Sequence, residues 1–241
     1  MAGDGLIMML DARVGNRERP PTDRTALYFD VRKIEKTPTE IEVKLRIADL
    51  PIILARLSRI GAVSHGRVFE RNTLFDTPHS DFWRTGRLIR VRIEKPAPGH
   101  GIPGGRAQAV LTAKGPASPE PKASRKKRPR YKERAERELI LPAQSVFARK
   151  LPALGLRPAF RYEKFRTSFA YRGLHLDLDE TPVGIFLELE GDPQAIDRAA
   201  KALGFSSGDY LRATYWNLYA ADCRRRGVRP KNMLLRTRKS R

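Results

Sequence analysis

The chain is 241 residues long, carries a formal net charge of +21 and contains one cysteine, Cys223. That length suits a single domain with a full core, and a lone cysteine excludes an intrachain disulfide framework and a cysteine-built metal site. The apolar run Gly5 to Leu10 is too short for a signal core or a membrane span, and no internal apolar run approaches ~20 residues, so a cytoplasmic protein without membrane segments is expected.

In chain order, residues 1–38 show no clean periodicity and read as irregular. Alternation of charged and aliphatic residues predicts a strand from Glu40 to Ile47. A helix follows through LPIILARLSRIG, with Asp49 as N-cap, Pro51 in the first turn and Gly61 as its stop. Strands are expected at about Arg67 to Phe75, Leu88 to Glu94, Gln108 to Lys114 and Arg134 to Leu141. The loops between the last three are PAPGHGIPGGR and a basic stretch at 115–130. QSVFARKLPALG reads as a short helix interrupted by Pro152. Three strands follow, at about Pro158 to Tyr171, Leu174 to Asp179 and Ile185 to Glu190. Two helices close the reading, PQAIDRAAKALG and YLRATYWNLYAADCRRR, the second ahead of a basic tail at 224–241. The domain proper is thus expected at 39–223.

The positive charge is unevenly spread. Gly115 to Arg130 contributes +5 and Arg224 to Arg241 contributes +9, so most of the +21 lies in two Pro-, Lys- and Arg-rich appendages. Such blocks repel themselves and stay solvated, so RNA contact through them is not the favoured reading. A chain ending near Arg224 is expected to fold, because the tail has only scattered apolar residues such as Met233, Leu234 and Leu235.

The strands carry the functional signal. In EIEVK, residues Glu40, Glu42 and Lys44 share one strand face, while Ile41 and Val43 share the other. The same period-two pairing recurs in Arg90 and Arg92, Glu136 and Glu138, Lys164 and Arg166, Asp177 and Asp179, and Glu188 and Glu190, with Lys114 ending the run AVLTAK. Most pairs have one sign. Like charges along a strand repel unless opposite charge lies against them. A sheet closed around a polyanion and its metal ions relieves that repulsion. No GxxxxGK[ST] loop occurs, the four histidines lack HxxH or HExxH spacing and read as structural or exposed, and no Ser-His-Asp or Cys-His constellation is legible.

On these residues the chain resembles the CYTH family, or triphosphate tunnel metalloenzymes. EIEVK is similar to its ExExK signature, LIRVR to its arginine strand, TAKGP to its lysine strand, RAERELIL to its central acidic strand, and YEKFRTSF, LDLDETPVG and FLELEG to its last three strands, in that order. The resemblance implies an α+β fold built on a closed antiparallel eight-stranded β-barrel, the triphosphate tunnel, with flanking helices. It implies catalytic residues Glu40, Glu42 and Lys44, phosphate contacts from Lys44, Arg90, Arg92, Lys114, Lys164 and Arg166, and Mg²⁺ or Mn²⁺ held among Glu40, Glu42, Glu138, Asp179, Glu188 and Glu190. Its LDE pattern favours Asp179 over Asp177. Carboxylates suit those hard ions, and arginine forks and lysine ammonium groups suit phosphate oxygens.

The expected function is metal-dependent hydrolysis of a triphosphate such as ATP, inorganic triphosphate or thiamine triphosphate. A class IV-type adenylate cyclase, making cyclic AMP from ATP, is the alternative with the same ligands. A non-catalytic polyphosphate or RNA binder is the third reading, and Glu40 and Glu42 argue against it, since a pure anion binder has no use for carboxylates in a basic cavity.

Overall fold

The computed structural model describes residues 39–117, 130–141 and 151–235. Residues 1–38, most of the basic loop, the QSVFARK stretch and residues 236–241 lie outside them. The described residues form eight strands: β1 (Thr39–Ile47), β2 (Val63–Asp76), β3 (Leu88–Pro96), β4 (Gln108–Ala117), β5 (Lys132–Leu141), β6 (Arg157–Tyr171), β7 (Leu174–Thr181) and β8 (Gly184–Glu190). Four helices accompany them: α1 (Leu50–Arg59), α2 (Asp81–Arg84), α3 (Pro193–Ala202) and α4 (Tyr215–Arg225). The strands close in the order β1-β5-β4-β3-β2-β6-β7-β8, and every neighbouring pair is antiparallel. The eight-stranded barrel expected from the sequence is the fold.

The barrel is inverted relative to an ordinary apolar core. Aliphatic residues of β1, β7 and β8, among them Val43, Leu45, Leu176, Leu178, Leu187 and Leu189, point outward and pack under Ile53 and Leu57 of α1 and Ile196, Ala199 and Ala200 of α3. A second apolar layer, with Phe75, Ile89, Val91, Leu111 and Ala113, lies against Leu151 and Leu156 beside a 3-10 turn at Pro152–Leu154. Alternate residues of the same strands therefore face the lumen, where the charges are. The helix ends follow the sequence signals. The Asp49 carboxylate accepts from Ile52 N–H at 2.9 Å to cap α1, and the Asp192 carboxylate accepts from Ala195 N–H at 2.9 Å to cap α3.

Several boundaries differ from the sequence reading. β2 begins at Val63, and a bulge lies between Ser64 and Gly66. Gly66 has φ +105°, and a Cβ there would meet Gly105 Cα at 2.8 Å, so only glycine admits the close pass of the 97–105 loop. β5 begins at Lys132, two residues earlier than expected. α4 begins at Tyr215, because Thr214 caps it in a reciprocal box with Asn217; Tyr210 is outside the helix, and Leu211 exchanges both backbone bonds with Lys44 on the edge of β1.

The last difference concerns the tail. β7 pairs with β6 only from Phe165 onward, which leaves the edge of residues 157–164 without that partner. Residues 231–233 take it. Met233 N–H donates to Arg161 O and Met233 O accepts from Glu163 N–H, both at 2.9 Å, while the Asn232 side chain accepts from Arg161 N–H at 3.0 Å. Met233 is 1 % exposed, within a cluster that includes Phe160, Tyr162, Phe186, Tyr215 and Tyr219. Phe160, Tyr162 and Phe186 occupy lumen-side positions, so α4 and Met233 together fill one end of the barrel. The tail expected to be solvated thus contributes a docked, buried residue, which bears on the expectation that a chain ending near Arg224 folds. Met233→Ala should cost about 2–5 kcal/mol in denaturant melts, as for other buried methionines, and a chain ending at Arg224 should be less stable than one ending at Leu235. Equal stability of those two chains would refute the docking.

Candidate active site

Register decides which charges meet. On the lumen side, Glu42 of β1 lies opposite Lys132 of β5 and Glu190 of β8, Lys44 opposite Glu188, and Glu40 opposite Arg134. Lys114 of β4 lies opposite Glu136, Glu70 of β2 opposite Lys164, and Arg166 of β6 opposite Asp179. Most of these charges thus find opposite sign on the neighbouring strand. They enclose a cavity of about 910 Å³, which also reaches Phe82 and Trp83 of α2 and the start of α4.

The ion pairs are short and largely buried. Lys44 binds Glu188, Lys132 binds Glu42, and Lys114 binds Glu136 and, at 2.7 Å, Glu40. Arg166 reaches Asp177 at 2.5 Å, Asp179 at 2.7 Å and Glu188 at 2.6 Å. Arg90 donates to Thr112 Oγ1 at 3.1 Å and to Tyr162 Oη at 3.3 Å, with Glu138 at 3.4 Å, and its Nε has no acceptor among the described residues. Arg92 lies 2.8 Å from Glu94 and 3.6 Å from Glu138.

Of the residues expected from the sequence, Glu40, Glu42, Lys44, Arg90, Arg92, Lys114, Glu138, Lys164, Arg166, Glu188 and Glu190 all line the cavity. Asp179 does not: its carboxylate, fully buried, accepts from Lys164 and Arg166 at 2.7 Å and from Tyr215 Oη at 2.5 Å. Those donors occupy it, so its place is to position two cations. Asp177, set aside in the sequence reading, lines the cavity instead. Lys132, Arg134, His175, Tyr162 and Tyr215 also line it and were missed. Lys132 and Arg134 were legible, since they precede Glu136 and Glu138 at period two. His175, read as structural or exposed, stands two residues before Asp177 on the same face and pairs with it at 3.0 Å. Tyr215 comes from a helix and carries no strand signal.

The titration of the carboxylates follows from this crowding. Burial, and then the hydrogen bond with Glu40, push the Glu136 carboxyl up to about 8 against the pull of Lys114. Burial opposes ionisation of Glu40 too, but Glu136 and Lys114 outweigh it and bring that carboxylate down to about 2. The two act as one proton-sharing pair. Glu190 is pushed up to about 7 by burial and then by Glu40, with Asp177 and Glu42 adding to the effect and His175 opposing it. Burial works against Lys44 and Lys114, yet their carboxylate partners hold both above the ordinary lysine value.

Among the described residues no three His, Cys, Asp or Glu side chains already converge as a metal site. The donor chemistry nonetheless fits a hard divalent cation. The acidic corner of the lumen offers mainly carboxylate oxygens, and the repulsion that lifts Glu190 is relieved when a cation takes the proton's place.

The CYTH domain family matches residues 38–215, and the chain belongs to that family. No curated protein matches it. Among solved structures, a candidate adenylate cyclase from Vibrio parahaemolyticus superposes with TM-score 0.59 at 18% identity, covering 76% of this chain and 98% of that one. The PH1819 protein of Pyrococcus horikoshii OT3 gives 0.57 at 20% identity, with coverage of 76% and 98%. An adenylyl cyclase candidate from Hippeastrum, described as revealing a dominant triphosphatase activity, gives 0.51 at 15% identity, with coverage of 79% and 97%. These likenesses establish the shared fold.

Two outcomes follow from the site as built. Folded Glu136 keeps its proton up to about 8, against an ordinary value of 4.5, so the folded state binds more protons across that interval and stability falls as pH rises through it. Without divalent cations, Glu136→Gln should flatten this decline and melt several degrees above the parent at pH 8.5, each kcal/mol being worth about 2–4 °C at this size; an unchanged pH slope would remove the proton-sharing pair. Separately, Asp179→Ala breaks a buried ion cluster and should cost about 3–5 kcal/mol in stability, read by denaturant melts. A loss of metal affinity with stability intact would instead make Asp179 a ligand.

Proposed function

We propose that this CYTH protein is a divalent-metal-dependent triphosphatase, which breaks the bond between the terminal phosphorus and its bridging oxygen by addition of water. The observation that carries the reading is the charge balance of the lumen. Nine Lys and Arg side chains and eight Asp and Glu side chains line the cavity, a formal difference of only +1. A triphosphate brings about four negative charges near neutral pH, so this lumen accommodates it only with added cations. A simple anion-binding site would lack the carboxylates.

Lys44, Arg90, Arg92, Lys114, Lys164 and Arg166 would exchange carboxylate partners for phosphate oxygens, joined by Lys132 and Arg134. Glu40, Glu42 and Glu190, with Glu138 and Glu188 nearby, would hold Mg²⁺ or Mn²⁺. A cation there supplies charge screening and a water of lowered pKa. The residues' own work is alignment. Asp179 and Asp177 fix the Arg166 fork, and Glu188 sets Lys44, so the phosphates meet preorganised charge, which is the main requirement of phosphoryl transfer. No histidine base is needed for in-line attack. A cytoplasmic location suits such a substrate and the buried free thiol of Cys223.

The description of the Hippeastrum relative as dominantly a triphosphatase favours hydrolysis. The cyclase description of the Vibrio relative keeps cyclic AMP formation as the second reading, because attack by a ribose hydroxyl on the α-phosphorus can use the same ligands. Incubation with inorganic triphosphate, ATP and thiamine triphosphate, each with Mg²⁺, Mn²⁺ or chelator, separates them. Phosphate release that chelator abolishes is the expected result; pyrophosphate with cyclic AMP would establish the cyclase, and no turnover of any substrate would leave the binder. Glu42→Gln should lower turnover about 100-fold or more with the fold kept, the scale on which loss of one charge-stabilising group registers. Arg90→Ala should weaken triphosphate binding about tenfold or more, as expected for a charge-assisted contact.

A further inference from the structure

One wall of the cavity is aromatic. Phe82 and Trp83 from α2, Phe160 from β6 and Trp216 from the first turn of α4 line it. Trp216 is pinned edge-on against Phe160, with ring centroids 4.9 Å apart and planes at 80°. Trp83 meets Trp216 at 5.8 Å, again at 80°, so the two indoles form a corner. Trp83 remains 59% exposed, although its backbone is firmly held. The buried Asp76 carboxylate accepts from the N–H groups of Thr77 at 2.7 Å and of Phe82 and Trp83 at 3.0 Å each. Ser80, which also lines the cavity, has φ 58° and ψ 40°, a left-handed conformation uncommon for serine, and its side chain does not cap α2.

Resting on the triphosphatase reading, we propose that this corner is a ring-binding subsite, with Trp83 as its specificity-determining residue, and that the preferred substrate is a nucleoside triphosphate rather than inorganic triphosphate. Spacing supports this. Phe160, Tyr162 and Lys164 are successive lumen positions on β6, and a strand rise of about 3.3 Å per residue puts Phe160 about 13 Å from Lys164 along the strand. A flat base seated in the corner stacks on one indole and meets the other edge-on, while its phosphates extend toward Lys164 and Arg166. The Ser80 hydroxyl is then available to the base edge. Inorganic triphosphate has nothing to set against this wall. A cationic ring finds no free counter-charge, since Asp76 serves three backbone donors and Asp81 is taken by Thr77 and Arg84, each at 2.6 Å.

The chain has two tryptophans, and both form this corner, so tryptophan emission, excited selectively over the seven tyrosines, reports on it. The full chain with Mg²⁺ is titrated with a non-hydrolysable nucleoside triphosphate analogue, inorganic triphosphate and thiamine triphosphate, following emission and melting temperature. The analogue should quench emission and bind more tightly than inorganic triphosphate, which should raise the melting temperature with little quenching. In Trp83→Leu the ratio of the two affinities should fall about tenfold, on the scale of one base–aromatic stack, and Trp216→Leu should move it the same way. Equal affinity for both ligands in the parent, an unchanged ratio in both variants, or tighter binding of thiamine triphosphate would overturn the proposal while leaving the triphosphate lumen standing. No melting shift with any ligand would sink both.

Discussion

The structure depends on the compensation of like charges across strands. Most strands bring two or more charges of one sign to the lumen, and a strand so built is unfavourable beside a copy of itself. Only a register that sets Glu42 against Lys132, Lys114 against Glu136 and Arg166 against Asp179 makes the interior tolerable. The side-chain period is two, so a slip of one residue would turn these charges into the apolar shell under α1 and α3. The electrostatics of the lumen and the hydrophobic packing outside it therefore select the same register.

That compensation is incomplete in places. Along β1, β8 and β7 the lumen positions run Glu42 beside Glu190 and Glu188 beside Asp177, acid against acid. Glu70 of β2 faces Glu94 of β3 in the same way. The imbalance shows in Glu190, which keeps its proton to about 7. Local frustration of this kind is where function concentrates, because the missing partner is supplied by what binds.

Much of this was legible from period two alone. EIEVK, LIRVR, LDLDE and FLELE each announce a strand with a charged face, whereas Glu70 of β2, which faces Lys164, belongs to no such pair. Other features were hidden because they depend on partners far away in sequence. Asp177 and Asp179 look alike in LDLDE; only the fold reveals that Tyr215 covers one and the cavity reaches the other. Met233 sits in a basic, Pro-containing stretch that has every mark of a solvated tail, and its burial follows from β7 being shorter than β6. The start of α4 turned on Thr214 and Asn217, a capping box with Asn where Glu or Gln is the usual signal.

The closure between β1 and β8 has a further consequence for how the molecule comes into being. Lys44 and Glu188 are 144 residues apart. During synthesis β1 therefore emerges long before the strand that neutralises it, and the edge of β6 in turn waits for Asn232, 71 residues after Arg161. Contacts of such separation carry a heavy loop-closure cost and make folding slow. Until closure the hairpins expose unpaired edges, and the carboxylates and ammonium groups on them stay in water, where their mutual repulsion discourages those edges from joining neighbouring chains. The same charges that later face a ligand thus act first as a guard against aggregation of the nascent chain.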